Sequence, residues 1–124
     1  MRSGRLADSM FGEESDMAKY LIRASYTAAG WAAQVKRPTN RLEALRPVVE
    51  RLGGTIEQFF YSFGDHDVVA ILDMPNHVSA AAWAIAGTAG GAVKNLETTP
   101  LLTVEEGIDA LRKASDIGYS PPAG

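Results

Sequence analysis

No cysteine occurs among the 124 residues. A disulfide framework, a thiolate nucleophile and a cysteine-ligated zinc site are thereby excluded. Positive charge is also scarce: 12 Lys and Arg stand against 15 Asp and Glu, a formal net charge of −3. Without a basic run the chain lacks the electrostatic footprint of a phosphate-backbone binder, so no nucleic-acid partner is expected. Histidine appears only as His66 and His77. No carboxylate follows His77 at i+3 or i+4, so helical metal-ligand spacing is missing and no metal is expected. The glycine pairs 53–54 and 90–91 lack the spacing and lysine of a phosphate loop, no Gly-x-Ser-x-Gly elbow occurs, and no cofactor is expected. Long apolar runs are missing too. Val78 to Ala89 is broken by Ser79 and Thr88 and is too short to span a bilayer. No membrane partner is expected.

What is present is a globular composition, 46% apolar, in a length that forms one ordinary core. Residues 1–16 carry Glu13, Glu14 and Asp16 but no apolar h-region. They read as a flexible leader rather than a secretory or mitochondrial signal, with Met17 a plausible alternative start. Residues 17–124 are expected to form the folded domain, in the cytoplasm. The acidic excess sits partly in the leader.

The pattern alternates between two periods. Lys19 to Tyr26 alternates as a strand, and Thr27 to Gly30 breaks it. Gly30 to Lys36 suits one or two helical turns ending before Pro38. Asn40 to Leu52 predicts an amphipathic helix with a stripe of Leu42, Leu45, Val49 and Leu52. Asn40 and Glu43 have capping-box spacing. Pro47 falls on the side away from the stripe. Thr55 to Phe63 predicts a second strand, Gly64-Asp65-His66 a turn, and Asp67 to Asp73 a third strand. His77 to Ala89 predicts a helix capped by Asn76, with Val78, Ala82, Ile85 and Ala89 buried and Trp83 off that stripe. Ala92 to Leu102 predicts a fourth strand and Glu105 to Ala114 a last helix, followed by an extended tail.

Strand, helix, strand, strand, helix, strand is the split βαβ order of the ferredoxin-like α+β class. Right-handed crossovers place two helices on one face of a four-stranded antiparallel sheet. The third strand is apolar on both faces, and the second carries aromatics on both. An open apolar sheet face is therefore expected to be covered by a second copy, as a homodimer or higher homo-oligomer. The carboxy-terminal helix is the competing cover.

Four segments carry a resemblance: MAKYLIRASYT at 17–27, RLEALRPVVERLGG at 41–54, FFYSFGDHDVVAILDMPN at 59–76 and GGAVKNLETTPLLTVEE at 90–106. Together with GYSPP at 118–122 they resemble the GYD-domain family of small bacterial proteins. The resemblance implies a ferredoxin-like fold that self-associates, and it implies no activity. The Gly-Tyr-Asp signature maps onto Gly64, His66 and Asp67, so His66 stands in the tyrosine slot.

Two functions from different classes remain open. In the first the chain is an oligomeric module without catalysis, an assembly protein or one that holds a small organic or anionic ligand. Arg23, Tyr26, Trp31 and Tyr61 would line its pocket. In the second it is a small enzyme of the dimeric α/β-barrel kind, an isomerase or cofactor-independent oxygenase. There His66 would serve as acid or base, with Asp65 or Asp67 and Tyr61 or Arg23 assisting. The plainer reading of Gly64-Asp65-His66-Asp67 is a hairpin turn. Neighbours in an extended chain point to opposite sides, so a carboxylate partner for His66 would come from another strand or subunit. Arg23 and Glu97 are expected as a cross-strand ion pair.

Overall fold

The computed structural model of the chain describes residues 17–123; the expected leader, residues 1–16, lies outside them. In chain order the elements are β1 (Ala18–Tyr26), α1 (Ala28–Lys36), α2 (Arg41–Arg51), β2 (Thr55–Tyr61), β3 (Val68–Met74), α3 (His77–Ala89), β4 (Val93–Leu101) and α4 (Val104–Asp116). The strands form one four-stranded sheet in the order β2-β3-β1-β4, with every neighbouring pair antiparallel. This is the split βαβ arrangement of a ferredoxin-like α+β fold.

Strand alternation decides which side chains enter the core. On β1, Tyr20, Ile22, Ala24 and Tyr26 point to the helices; on β3, Val68, Ala70, Leu72 and Met74 do the same. Val49 of α2 and Ala80 of α3 close over them, and Val49 and Met74 are fully buried. Leu42, Leu45 and Leu52 pack beside Val49, as the helical stripe predicts. Pro47 lies exposed within α2. Asn40 Oδ1 accepts from the Glu43 N–H at 3.1 Å, but the Glu43 carboxylate pairs with Arg46 instead of completing a capping box. The complete box belongs to Thr103 and Glu106 at the start of α4.

Three local expectations are corrected. The first concerns α1, which begins at Ala28, with the Thr27 hydroxyl accepting from Gly30 N–H at 3.0 Å. The strand ends at Tyr26 as expected, but the helix starts two residues before Gly30, which is its buried contact. Gly30 sits against the backbone of Ala92, where a Cβ would overlap the carbonyl oxygen. The second concerns β2, which ends at Tyr61; Ser62 and Phe63 belong to the turn.

The third correction lies on α3. Val78 and Ile85, expected inside, are 78% and 68% exposed, while Ala80 is buried and Trp83 packs on the core. The helix is apolar on nearly all sides, so periodicity alone left its orientation open. Two polar anchors accompany the observed orientation. Asn76 Oδ1 accepts from Ser79 N–H at 2.8 Å, and the buried Tyr20 hydroxyl lies 2.6 Å from His77 Nδ1.

The opposite sheet face presents three cross-strand rows. Thr55, Asp73, Lys19 and Leu101 form one; Gln58, Ile71, Leu21 and Thr99 the middle; Phe60, Val69, Arg23 and Glu97 the last. Lys19 bridges Glu57 at 2.8 Å and Asp73 at 2.9 Å, and those two hydrogen bonds raise its pKa above the ordinary lysine value. The apolar waist therefore lies between two ionic rows. The carboxy-terminal helix does not seal this face: α4 has no buried residue, and Val104, Leu111 and the following Ile117 are each at least 71% exposed. Among the described residues no helix is long and apolar enough to cross a membrane.

Candidate functional site

Small residues open a space under the helices. Ala24 and Ala70, both buried, occupy positions where larger side chains would fill the gap between sheet and helices, and Ala86, exposed, stands at its rim. Interiors normally pack to near-crystalline density, so a void there has local causes. The result is a cavity of about 300 Å³. Its floor is Ile22, Ala24, Phe59, Val68, Ala70 and Leu96; its roof is Leu45 and Val48 of α2 with Trp83 and Ala86 of α3. That volume falls at the lower end of the small-molecule range, roughly 300–1,000 Å³.

Polar groups are few and sit in defined places. Trp83 lines the cavity, and its indole N–H is buried with no acceptor among the described residues. Tyr26 and Arg41 stand at one end. Burial raises the Tyr26 pKa above the ordinary phenol value, the Tyr61 phenol adds to this, and the Arg41 guanidinium opposes it. Tyr26 therefore remains a neutral donor and acceptor in the physiological range. The Trp31 ring packs edge-on to Tyr26, with centroids 4.9 Å apart.

The residues expected to form one pocket divide between the two sheet faces. Tyr26 lines the cavity and Trp31 supports it from α1. The Tyr61 hydroxyl donates to Gln34 Oε1 at 3.1 Å, tying β2 to α1. Arg23 lies on the opposite face, 2.9 Å from Glu97. From sequence, Arg41 is not singled out, and Trp83 reads as lying off the buried stripe of its helix rather than in a pocket. Trp83 was legible in principle, because Ala80, Trp83 and Gly87 keep steps of three and four. Nothing local marks Arg41, which acquires its place through the docking of α2 on the sheet.

The Gly64-Asp65-His66-Asp67 segment is a turn pinned at several points. Ser62 N–H donates to Asp67 O at 2.8 Å, and Ser62 Oγ donates to His66 O at 2.7 Å. Ser25 Oγ donates to Asp65 O at 3.2 Å. The Asp67 carboxylate accepts from the Tyr26 backbone N–H at 2.9 Å, beside the register shift in the β1–β4 pairing. His66 does meet a carboxylate from another strand: its Nε2 lies 3.3 Å from Glu97 Oε2, and Glu97 is shared with Arg23. Neither Asp65 nor Asp67 pairs with His66. Among the described residues no three His, Asp or Glu cluster as a metal site.

Replacing Asp67 by Ala leaves the Tyr26 N–H without its acceptor, a loss on the order of 1–3 kcal/mol. The melting temperature is expected to fall on the order of 10 °C by calorimetry. Asp67→Asn keeps an acceptor oxygen and is expected to lose clearly less.

The fold and its helix-side cavity place this molecule among the α+β ferredoxin-like proteins. The GYD domain family model matches residues 20–111, from within β1 into α4, and the chain belongs to that family. The searches of curated proteins and of solved structures found no match.

Proposed function

We propose that this chain is a self-associating binding module that holds a small organic molecule between its helices and its sheet, without catalysis. The observation that carries the reading is the cavity: an apolar chamber with Tyr26 and Arg41 at one end, and no nucleophile–base pair inside it. Few convergent polar groups in an apolar concavity is the usual build of a ligand site. Self-association is supported by the open sheet face and by the unburied apolar side of α4, both costly to leave in water. Stacking two such sheets antiparallel would bring the Lys19 row, with two carboxylates to one lysine, over the partner's Arg23–His66 row.

Titration of isotopically labelled protein with 2-naphthol tests the cavity. The Trp83 indole N–H resonance is expected to move saturably, and Ala86→Phe, which plugs the roof, is expected to abolish the shift. An unmoved resonance, or the same shift in Ala86→Phe, contradicts the reading. His66→Ala is expected to leave binding unchanged.

A further inference from the structure

A second, more open chamber of about 660 Å³ adjoins the first. The two share Tyr26, Arg41, Gly90, Ala92 and Val93, so these residues form the passage between them. The character of the walls changes across that passage. The inner chamber is alkyl and aromatic; the outer is lined by Arg37, Arg41, Gln34 and Thr39, which come from the end of α1 and the start of α2.

Neither Arg37 nor Arg41 has a carboxylate partner among the described residues, in contrast to Arg23, Arg46 and Arg112. The nearby acids have other partners: Glu43 faces Arg46, and the Asp67 carboxylate holds the Tyr26 N–H. Gln34 is committed on both ends, to Gly30 O and to the Tyr61 hydroxyl. The free cationic capacity at the mouth is therefore the two guanidinium groups. The N-terminal end of the 11-residue α2 adds a field of the same sign. Guanidinium forks match a carboxylate in shape and charge.

We propose that the ligand is an amphipathic carboxylate. Its apolar, preferably aromatic, body fills the inner chamber against Trp83 and Phe59. Its carboxylate sits in the outer chamber on Arg41 and Arg37. This assignment rests on the cavity being a ligand site, as argued above.

Calorimetric titration of the full chain at low ionic strength with 2-naphthoate and with 2-naphthamide separates the two claims. The probes share a ring body and differ in charge. Naphthoate is expected to bind about tenfold more tightly, the scale of one charge-assisted hydrogen bond. Arg41→Gln is expected to remove that preference, lowering naphthoate affinity about tenfold more than naphthamide affinity, and Arg37→Gln to reduce it. Equal affinities for the two probes in the unaltered protein overturn the carboxylate assignment and leave the cavity reading standing. A preference that survives both substitutions also overturns the assignment. If neither probe binds, both claims fall.

Discussion

Ile71→Lys is expected to convert the assembled protein into a folded 13.3 kDa monomer. Ile71 sits in the middle row of the open sheet face, in register with Leu21 on one side and Gln58 on the other. In an isolated chain that side chain is only partly covered, so a lysine there costs little and the circular dichroism is unchanged. Against a second sheet the same ammonium would be buried without a partner. That penalty, several kcal/mol per copy and felt on both sides of a twofold interface, exceeds what an ordinary interface of this kind tolerates. Sedimentation velocity at micromolar concentration checks it. A substituted chain that still sediments as an oligomer would show that the sheet face is not the contact.

Gly30→Val is expected to destabilise the fold severely, by about 3 kcal/mol or more, because the new Cβ meets backbone rather than a movable side chain. The obstructing carbonyl, Ala92 O, is itself fixed by the Thr27 N–H at 2.9 Å, so neither partner can retreat without breaking the junction of β1, α1 and β4. Calorimetry is expected to show a melting temperature lowered on the order of 15 °C, or no cooperative transition. Gly64→Ala is the matched control. No atom lies within 4 Å of a Cβ built there, and stability is expected to change by less than about 1 kcal/mol. The same junction forms one edge of the outer chamber, so Gly30→Val is expected to lose the site together with the fold.

Much of the fold was legible because it follows from local pattern. The alternation in β1, the apolar run of β3, the leucine stripe of α2 and the asparagine caps at 40 and 76 each specify an element without reference to the rest of the chain. Their order then leaves few topologies, and the split βαβ sheet is one of them. What local pattern did not specify was orientation. In α3, Val78 and Trp83 are both apolar, and the Tyr20–His77 contact, which joins the helix to β1, accompanies the observed face. The candidate site was less legible for a related reason. Tyr26 and Arg41 meet only after α2 docks, and a cavity made by alanines has no motif: it consists of volume that is not filled. Arg23, which resembles Tyr26 in being a polar interruption of the same strand, points to the other face because it occupies an odd-numbered position.

The two faces of the sheet thus carry different work in this account. The helix side, with its alanines, Trp83 and the Tyr26–Arg41 passage, receives the ligand. The other side, where Leu21 and Ile71 lie between two rows that carry ion pairs, is the face proposed for a second copy. The His66–Glu97–Arg23 cluster belongs to this second side, which is why substitution of His66 is expected to leave ligand binding intact. Native mass spectrometry of freshly purified protein tests both sides at once. The account predicts a mass of two or more chains carrying a small-molecule adduct, with the adduct lost in Ala86→Phe. A bare 13.3 kDa monomer would contradict it.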